Sequence, residues 1–269
     1  MTSLKSRVLV AVVCIPLLLW VVLWSPLWVV RWALAVLSMI AAGELLMCVG
    51  LSSKEKPVNV LTVLTTFAAL GTVVLPSGLW PILWAVYVVL AFLYAIIRGG
   101  EVKFVQVLAG IFSVIAVPYA FSAFYRISEM GLHRAYLLLP FILSFACDTF
   151  AYIVGCSIGK HKLAPKVSPK KSVEGSIGGL AGNVLCGCLF LLVMNRLFDA
   201  SIGYGAMVIL ALCCGVVAQI GDLSFSLIKR EFGIKDYGKL FLAHGGVLDR
   251  FDSVLFVAPV IEIILQIVK

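Results

Sequence analysis

The chain has 269 residues, of which 62% are hydrophobic and only 13% are charged. A mean hydropathy of +1.13 excludes a soluble globular domain and indicates a polytopic membrane protein. The formal net charge is +8. Which partners it can attract depends on the side of the membrane on which the basic residues lie.

Apolar segments of about 20 residues, long enough to cross a bilayer as helices, recur along the whole chain. Their period and length predict an all-α fold, and no alternating ten-residue pattern supports a β-barrel. Pro118 and Pro140 interrupt the fifth and sixth segments, and a break in either one would change the count. The nine predicted spans cover residues 8–24, 28–49, 58–76, 79–97, 104–125, 135–157, 176–197, 204–228 and 251–268.

The first segment is open to two interpretations, a cleaved secretion signal or a retained helix. Lys5 and Arg7 precede its apolar run, as basic residues do in a signal peptide. The run is long, however, and it ends in the bulky sequence 23–26 (Leu-Trp-Ser-Pro) without a small-x-small cleavage site. We therefore predict a retained first helix.

The basic residues are distributed unequally between the two sides of the predicted bundle. The loops on the side of the N-terminus hold 16 of the 21 lysines and arginines, and the other side holds 5. The positive-inside rule places the N-terminus and the polar loops 159–175 and 229–253 in the cytoplasm, with the C-terminus outside. We predict a multi-pass protein of the inner (plasma) membrane. Its expected partners are membrane lipids and no nucleic acid, and a homodimer is left open.

Ionisable and polar side chains gather near the cytoplasmic ends of the last four predicted spans. Asp222 lies roughly 10 Å below the membrane face at 1.5 Å per residue, and it shares a helical face with Ser226 and Lys229. Asp148 and Tyr152 repeat this spacing in span 6. Such groups either fix helix packing through hydrogen bonds and ion pairs or line a wet pocket for a hard divalent cation. The first five predicted spans offer few such groups. We therefore predict about five N-terminal helices over residues 1–134 and a C-terminal catalytic region over 135–269, with about four helices.

The two polar loops suggest what such a pocket would hold. Loop 159–175 contains five lysines, which suit phosphate, although a solvated loop obeying the charge rule would look the same. Loop 229–253 contains Gly245–Gly246, whose backbone amides can approach an anion at a helix N-terminus. Asp249 and Asp252 follow and share one face if the last helix begins by Leu248. Together these features indicate phosphoryl or nucleotidyl transfer on a lipid.

The second loop also matches a family pattern. It reads Ser226-Leu-Ile-Lys229-Arg230, then Lys235-Asp236-Tyr-Gly238, then His244-Gly245-Gly246-Val-Leu-Asp249-Arg250-Phe-Asp252. This pattern resembles the signature of the phosphatidate cytidylyltransferase (CDP-diacylglycerol synthase) family, and similar residues upstream extend the resemblance over roughly 146–253. Leu242 departs from the usual Pro, Gly or Ser, and Val173 from a frequent aromatic residue. These changes concern the shape of a turn and the packing of a loop, and they remove no charged group.

The resemblance implies that CTP and phosphatidate react to give CDP-diacylglycerol and pyrophosphate, with Mg²⁺ and room for a second cation. Asp222 and Asp249 are the predicted Mg²⁺ ligands, and Asp148 and Asp252 are second candidates. The predicted catalytic residues are Asp222, Asp249, Lys229, Arg230, Lys235, Asp236, His244, Arg250 and Asp252. The predicted substrate-binding residues are Asp148, Tyr152, Lys160, Lys166, Ser168, Lys171, Glu174, Ser226, Gly245 and Gly246.

Two other functions remain as alternatives. A CDP-alcohol phosphatidyltransferase also uses membrane carboxylates and metal, but its expected Asp-Gly-x2-Ala-Arg run is absent from this chain. A cation-coupled transporter could use Asp148, Asp222 and Glu262 along a path. It would be expected to have internal repeats and helices broken at mid-membrane, and the sequence shows neither.

Overall fold

The computed structural model describes residues 3–50, 59–198, 202–238, 240 and 245–268. Within these ranges the regular secondary structure is helical apart from one short β-hairpin, which confirms the predicted all-α class. Lys239, Leu242 and His244 lie outside the described residues. The helices are α1 (Ser3–Leu23), α2 (Leu27–Cys48), α3 (Val60–Val74), α4 (Trp80–Ile97), α5 (Phe104–Glu129), α6 (Leu139–Ile158), α7 (Val173–Phe198), α8 (Tyr204–Glu231) and α9 (Leu248–Val268). Short 3₁₀ turns at Ser77–Leu79 and Arg134–Leu138 lead into α4 and α6.

Within the described part of the chain, seven helical segments are long and apolar enough to cross a membrane. Two shorter apolar helices, Val12–Leu23 and Val60–Val74, accompany them. The protein is therefore a polytopic helical membrane protein, while the count of nine spans and the orientation stay predictions. The seven segments are Leu27–Cys48, Ser77–Ile97, Phe104–Glu129, Arg134–Ile158, Val173–Phe198, Tyr204–Glu231 and Leu248–Val268.

Neither proline that interrupts an apolar segment breaks its helix. Pro140 lies in the first turn of α6, where its missing N–H would have no helical partner in any case. Pro118 lies inside α5, which continues from Phe104 to Glu129. Membrane helices tolerate such a residue because neighbouring groups satisfy the freed carbonyl.

The lysine-rich loop contains the one β-structure of the described residues. Strand β1 (Lys162–Ala164) pairs antiparallel with strand β2 (Ser168–Ser172). The Val167 N–H donates to the Ala164 carbonyl across the turn, at 3.2 Å. Helix α7 follows β2 directly at Val173, three residues earlier than predicted. The loop therefore holds its lysines on a β-hairpin, which the sequence analysis did not predict.

The chain forms two compact units, residues 1–125 with 231–250 and residues 126–230 with 251–269. The functional division predicted at residue 134 stays a prediction.

In the first unit, Tyr87 is buried and its hydroxyl lies 2.7 Å from that of Thr65. Arg31 of α2 donates to the carbonyl oxygens of Val73 and Leu75, at 2.9 and 3.2 Å. These donors satisfy carbonyls left open at the end of α3.

In the second unit, α6 and α7 pack closely through glycine residues of α7. A Cβ added at Gly175 would lie 2.7 Å from the Ala151 carbonyl oxygen, and one at Gly182 would overlap the Phe150 ring. Small residues let membrane helices approach backbone to backbone. This close packing fixes α6, which carries Asp148, against the helix that follows the hairpin.

A buried ion pair joins α5 to α9 in the second unit. Arg126 donates to Glu262 through Nε (2.5 Å to Oε1) and Nη2 (2.6 Å to Oε2), and the two side chains are 18% and 6% exposed. Glu262→Gln is expected to lower the free energy of unfolding by about 3–5 kcal/mol, because a buried guanidinium loses its counter-charge. Denaturant unfolding in detergent micelles measures this change.

The exposed pair between Arg98 and Glu101, at 3.2 Å, provides the matched control for this prediction. Glu101→Gln should leave unfolding unchanged, because water and salt screen an exposed pair. Equal effects of the two substitutions would contradict a stabilising role for the buried pair.

Candidate active site

Three aspartates from three helices form an acidic cluster in the second unit. Asp148 of α6 and Asp252 of α9 both interact electrostatically with Asp222 of α8, and with each other. The Ser253 side chain also hydrogen bonds to Asp148. Like charges this close repel one another, and either a bound proton or a nearby cation relieves that repulsion. All three aspartates were predicted site residues, whereas Ser253 was not.

Two lysines supply positive charge to the acidic cluster. Lys171, from strand β2, forms an ion pair with Asp222, and both side chains are 25% exposed. Lys229 of α8 interacts electrostatically with Asp252. The hairpin therefore delivers a lysine to the carboxylate that the sequence placed deepest in span 8. The sequence predicted both Lys171 and Asp222 as site residues, but it gave no sign that they pair.

Close packing of α8 against its neighbours positions Asp222. A Cβ at Gly221 would lie 2.9 Å from the Asp252 carbonyl oxygen, so glycine lets α9 approach beside the aspartate. Three residues earlier, Gln219 accepts a hydrogen bond from the Ser176 hydroxyl and donates to the Ser176 carbonyl at 3.2 Å. This reciprocal pair ties α7 to α8 below the acidic cluster. Neither Gln219 nor Ser176 is among the predicted site residues.

The remaining predicted residues of the second unit lie on α6, on α8 or in the segment 159–172 that contains the hairpin. Ser226 Oγ is 3.4 Å from Asp222 Oδ1, and Arg230 donates to the Val167 carbonyl at 3.4 Å. Lys160 and Lys166 are exposed, and Tyr152 is 73% exposed. Ser168 opens β2.

Glu174 anchors the hairpin to α7. Its carboxylate accepts the Lys160 N–H at 3.1 Å and the His161 N–H at 3.2 Å, and it lies 2.6 Å from the His161 ring. A carboxylate in the first turn is also stabilised by the helix dipole. These contacts explain the acidic residue at this position, and substrate binding by Glu174 stays a prediction.

The glycine-rich loop belongs to the first unit, and the amides of residues 246–248 at its end donate to carboxylates. Gly245 has φ of +83°, a conformation that favours glycine. Asp249 Oδ2 accepts the N–H groups of Tyr237 and Gly246, at 2.7 and 3.0 Å. The next two amides, those of Val247 and Leu248, donate to a buried glutamate of α2. The amides of residues 246–248 are therefore occupied by the protein's own carboxylates, and substrate binding by Gly245 and Gly246 stays a prediction. Lys235, Asp236 and Arg250 of the same segment are exposed.

The donor set of the acidic cluster fits a magnesium ion only in part. Among the described residues, no three or more His, Cys, Asp and Glu side chains are arranged as a metal cage. Mg²⁺ usually takes one or two carboxylates and completes its octahedron with water and substrate phosphates. Asp222, with a neighbouring aspartate, could provide such a partial set. Joint binding of one magnesium ion by Asp222 and Asp249 stays a prediction.

Comparisons with known proteins identify the family. The model of the cytidylyltransferase family matches residues 5–268. A phosphatidate cytidylyltransferase of Staphylococcus haemolyticus is 32% identical over 271 residues, which cover 97% of this chain and 99% of the relative. Phosphatidate cytidylyltransferases of Staphylococcus saprophyticus and Staphylococcus epidermidis are 38% identical over 172 residues, a stretch of 64% of each chain and thus just under two thirds of those relatives. This chain belongs to the cytidylyltransferase family and is a membrane-embedded nucleotidyltransferase.

Proposed function

We propose that this protein transfers the cytidylyl group of CTP to phosphatidate, giving CDP-diacylglycerol and pyrophosphate at a bacterial plasma membrane. The relatives carry that activity in their names, and the family match spans nearly the whole chain. The observation that supports it most is the ion pair between Lys171 and Asp222 inside the acidic cluster. This pair places a phosphate-binding cation beside oxygen donors for a metal, within a membrane protein.

The reaction needs little acid–base help from the protein. The phosphate of phosphatidate is an anionic nucleophile at neutral pH, and it attacks the α-phosphorus of CTP as the bond to pyrophosphate breaks. Catalysis then depends on positioning the two substrates and neutralising charge around the transferred phosphorus. Lys171 and Lys229 would hold substrate phosphates, and the exposed hairpin lysines would attract them.

Bound Mg²⁺ would neutralise charge on the triphosphate and on the departing pyrophosphate. Asp222 would hold it, with Asp249 as the predicted second ligand and Asp148 or Asp252 as the other candidates. The hairpin keeps Lys171 against Asp222, and Gly221 keeps α9 close to α8. These contacts maintain the carboxylates in a fixed arrangement before substrate arrives.

Pyrophosphate release from purified protein tests the proposed function against its alternatives. We expect release from CTP only when phosphatidate and Mg²⁺ are both present. A CDP-alcohol phosphatidyltransferase would instead release CMP from CDP-diacylglycerol, and a transporter would turn over neither nucleotide. Either of these outcomes would contradict the proposal.

Neutralising the hairpin lysines should weaken substrate binding. Lys171→Gln is expected to raise KM for CTP or phosphatidate roughly tenfold, the effect of losing one charged hydrogen bond, and to lower kcat less. Lys160→Gln and Lys166→Gln should give smaller increases in the same direction, since both side chains are exposed.

Lys170→Gln is the matched control for the lysine series, because adjacent residues of a strand point to opposite faces. Steady-state kinetics in mixed micelles should show it unchanged. Wild-type kinetics for all three of the other variants would leave the hairpin as a solvated loop that only obeys the charge rule.

The predicted orientation requires CTP to enter from the cytoplasm. In a background with the native cysteines replaced, Lys166→Cys should react with an impermeant maleimide only after the cells are opened. Ser77→Cys, on the predicted outer side, should react in intact cells. The reverse labelling pattern would overturn the orientation and the access route for CTP.

A further inference from the structure

Glu44 is a buried carboxylate whose partners lie far along the chain. It is near the C-terminal end of α2 and is 3% exposed. Its Oε1 accepts the Val247 N–H and its Oε2 the Leu248 N–H, both at 2.9 Å. These amides open α9 and lie 203 and 204 residues further along the chain. A carboxylate of the N-terminal helices thus accepts hydrogen bonds from the backbone at the end of the glycine-rich segment.

Two glycines make room for this carboxylate. A Cβ added at Gly246 would overlap the Glu44 carboxylate, and so would one at Gly238. Neither residue has a positive φ, so backbone conformation does not demand glycine at these positions. Contact with Glu44 therefore explains why side chains are absent from both sites.

Asp249 binds the backbone amide next to the two that Glu44 binds. The Gly246 N–H, beside the two amides bound by Glu44, donates to Asp249 Oδ2 at 3.0 Å. Three successive amides, those of residues 246–248, are thereby fixed by two carboxylates. Helix N-termini are usually capped by a nearby Ser, Thr, Asp or Asn. A remote carboxylate within an apolar helix carries a desolvation cost, so a role in capping alone is a poor explanation for Glu44.

We propose that Glu44 is a positioning residue for cytidylyl transfer. It holds the backbone of residues 245–248 so that Asp249 and Arg250, in the first turn of α9, keep a fixed orientation toward substrate and metal. The inference rests on the proposed function for the identity of the reaction. The hydrogen bonds that carry it do not depend on that identity.

Glu44→Gln tests the proposal by replacing one acceptor oxygen with an NH₂ group that cannot accept an amide hydrogen. We expect faster amide exchange in the peptide spanning 245–250. We also expect kcat to fall by roughly ten- to a hundredfold, the effect of displacing a reacting group by about 1 Å, while KM for CTP changes less than threefold. Glu262→Gln is the matched control: it also alters a buried glutamate, but it should lower stability and leave kcat of the folded protein unchanged. A folded Glu44→Gln protein with wild-type kcat would overturn the proposal, as would an equal loss of kcat in both variants.

A second pair of variants covers the case in which Glu44→Gln fails to fold. Gly246→Ala puts a methyl group against the carboxylate and should lower kcat as strongly as Glu44→Gln. Adding Glu44→Asp, which shortens the side chain by one methylene, should restore part of that kcat. Wild-type kcat in Gly246→Ala, or a double variant no faster than the single one, would refute the role of Glu44.

The two readouts separate this inference from the proposed function. If wild-type protein makes no CDP-diacylglycerol, the proposed function fails, and the exchange experiment still decides whether Glu44 holds the loop. If wild-type protein is active and exchange at 245–250 is the same in Glu44→Gln, the role of Glu44 fails alone.

Discussion

Asp222→Asn is expected to lower kcat by roughly a thousandfold, a loss comparable to removing a principal electrostatic group of an active site, while the protein stays folded. Asparagine keeps the shape of the side chain but removes the charge that faces Lys171 and would attract a cation. Pyrophosphate release and thermal unfolding, measured on the same micellar sample, separate the two effects. Glu231→Gln, an exposed change at the end of the same helix, should alter neither quantity.

A purely structural ion pair makes a different prediction for Asp222. It would lose thermal stability together with activity, because Lys171 would be left half-buried without its partner. The double variant Asp222→Asn with Lys171→Met would then recover both. We expect both the single and the double variant to be as stable as the wild type and inactive. A well-folded Asp222→Asn protein with near-normal turnover at ordinary Mg²⁺ would rule out the assignment.

Asp249→Asn is expected to lower kcat by roughly a hundredfold and to raise the Mg²⁺ concentration needed for half-maximal activity. The asparagine oxygen can still accept the Tyr237 and Gly246 amides, so amide exchange over 245–250 should stay as in the wild type. A magnesium titration with amide exchange on the same variant measures both effects. Asp252→Asn is the comparison, because Asp252 lies three residues after Asp249 in the same helix. If the magnesium requirement shifts only in Asp252→Asn, the second ligand belongs to the acidic cluster and the pairing with Asp249 is wrong.

Much of the fold follows from hydropathy, because burial in lipid demands long helices whose backbone bonds are all internal. The last span was predicted over residues 251–268, and α9 begins earlier, at Leu248. This start meets the condition under which Asp249 and Asp252 share one helical face. The β-hairpin was missed because strand Ser168–Ser172 is mostly polar and has no alternating apolar pattern. Its pairing with three residues of β1 depends on the tertiary scaffold around Glu174, which local sequence does not show.

The candidate site was predictable in its residue types and not in its pairings. Ionisable residues in apolar helices are exceptional, so Asp148 and Asp222 could be selected from sequence alone. Their contacts with Lys171 and Ser253 join segments distant in sequence, which helical spacing does not reveal. Glu44 carried the same signal as the other intramembrane carboxylates. Its role was missed because its partners are backbone amides about 200 residues away, and every residue type except proline has such an amide.

Following the α-phosphate of CTP tests the central claim most directly. Purified wild-type protein is given CTP labelled at the α-phosphorus, together with phosphatidate and Mg²⁺, and the lipid extract is separated from the aqueous phase. The proposed reaction places the label in a lipid that runs with CDP-diacylglycerol, in amounts equal to the pyrophosphate released. Label that remains in the aqueous phase while pyrophosphate accumulates, or a lipid phase without label from folded protein, would contradict cytidylyl transfer to phosphatidate.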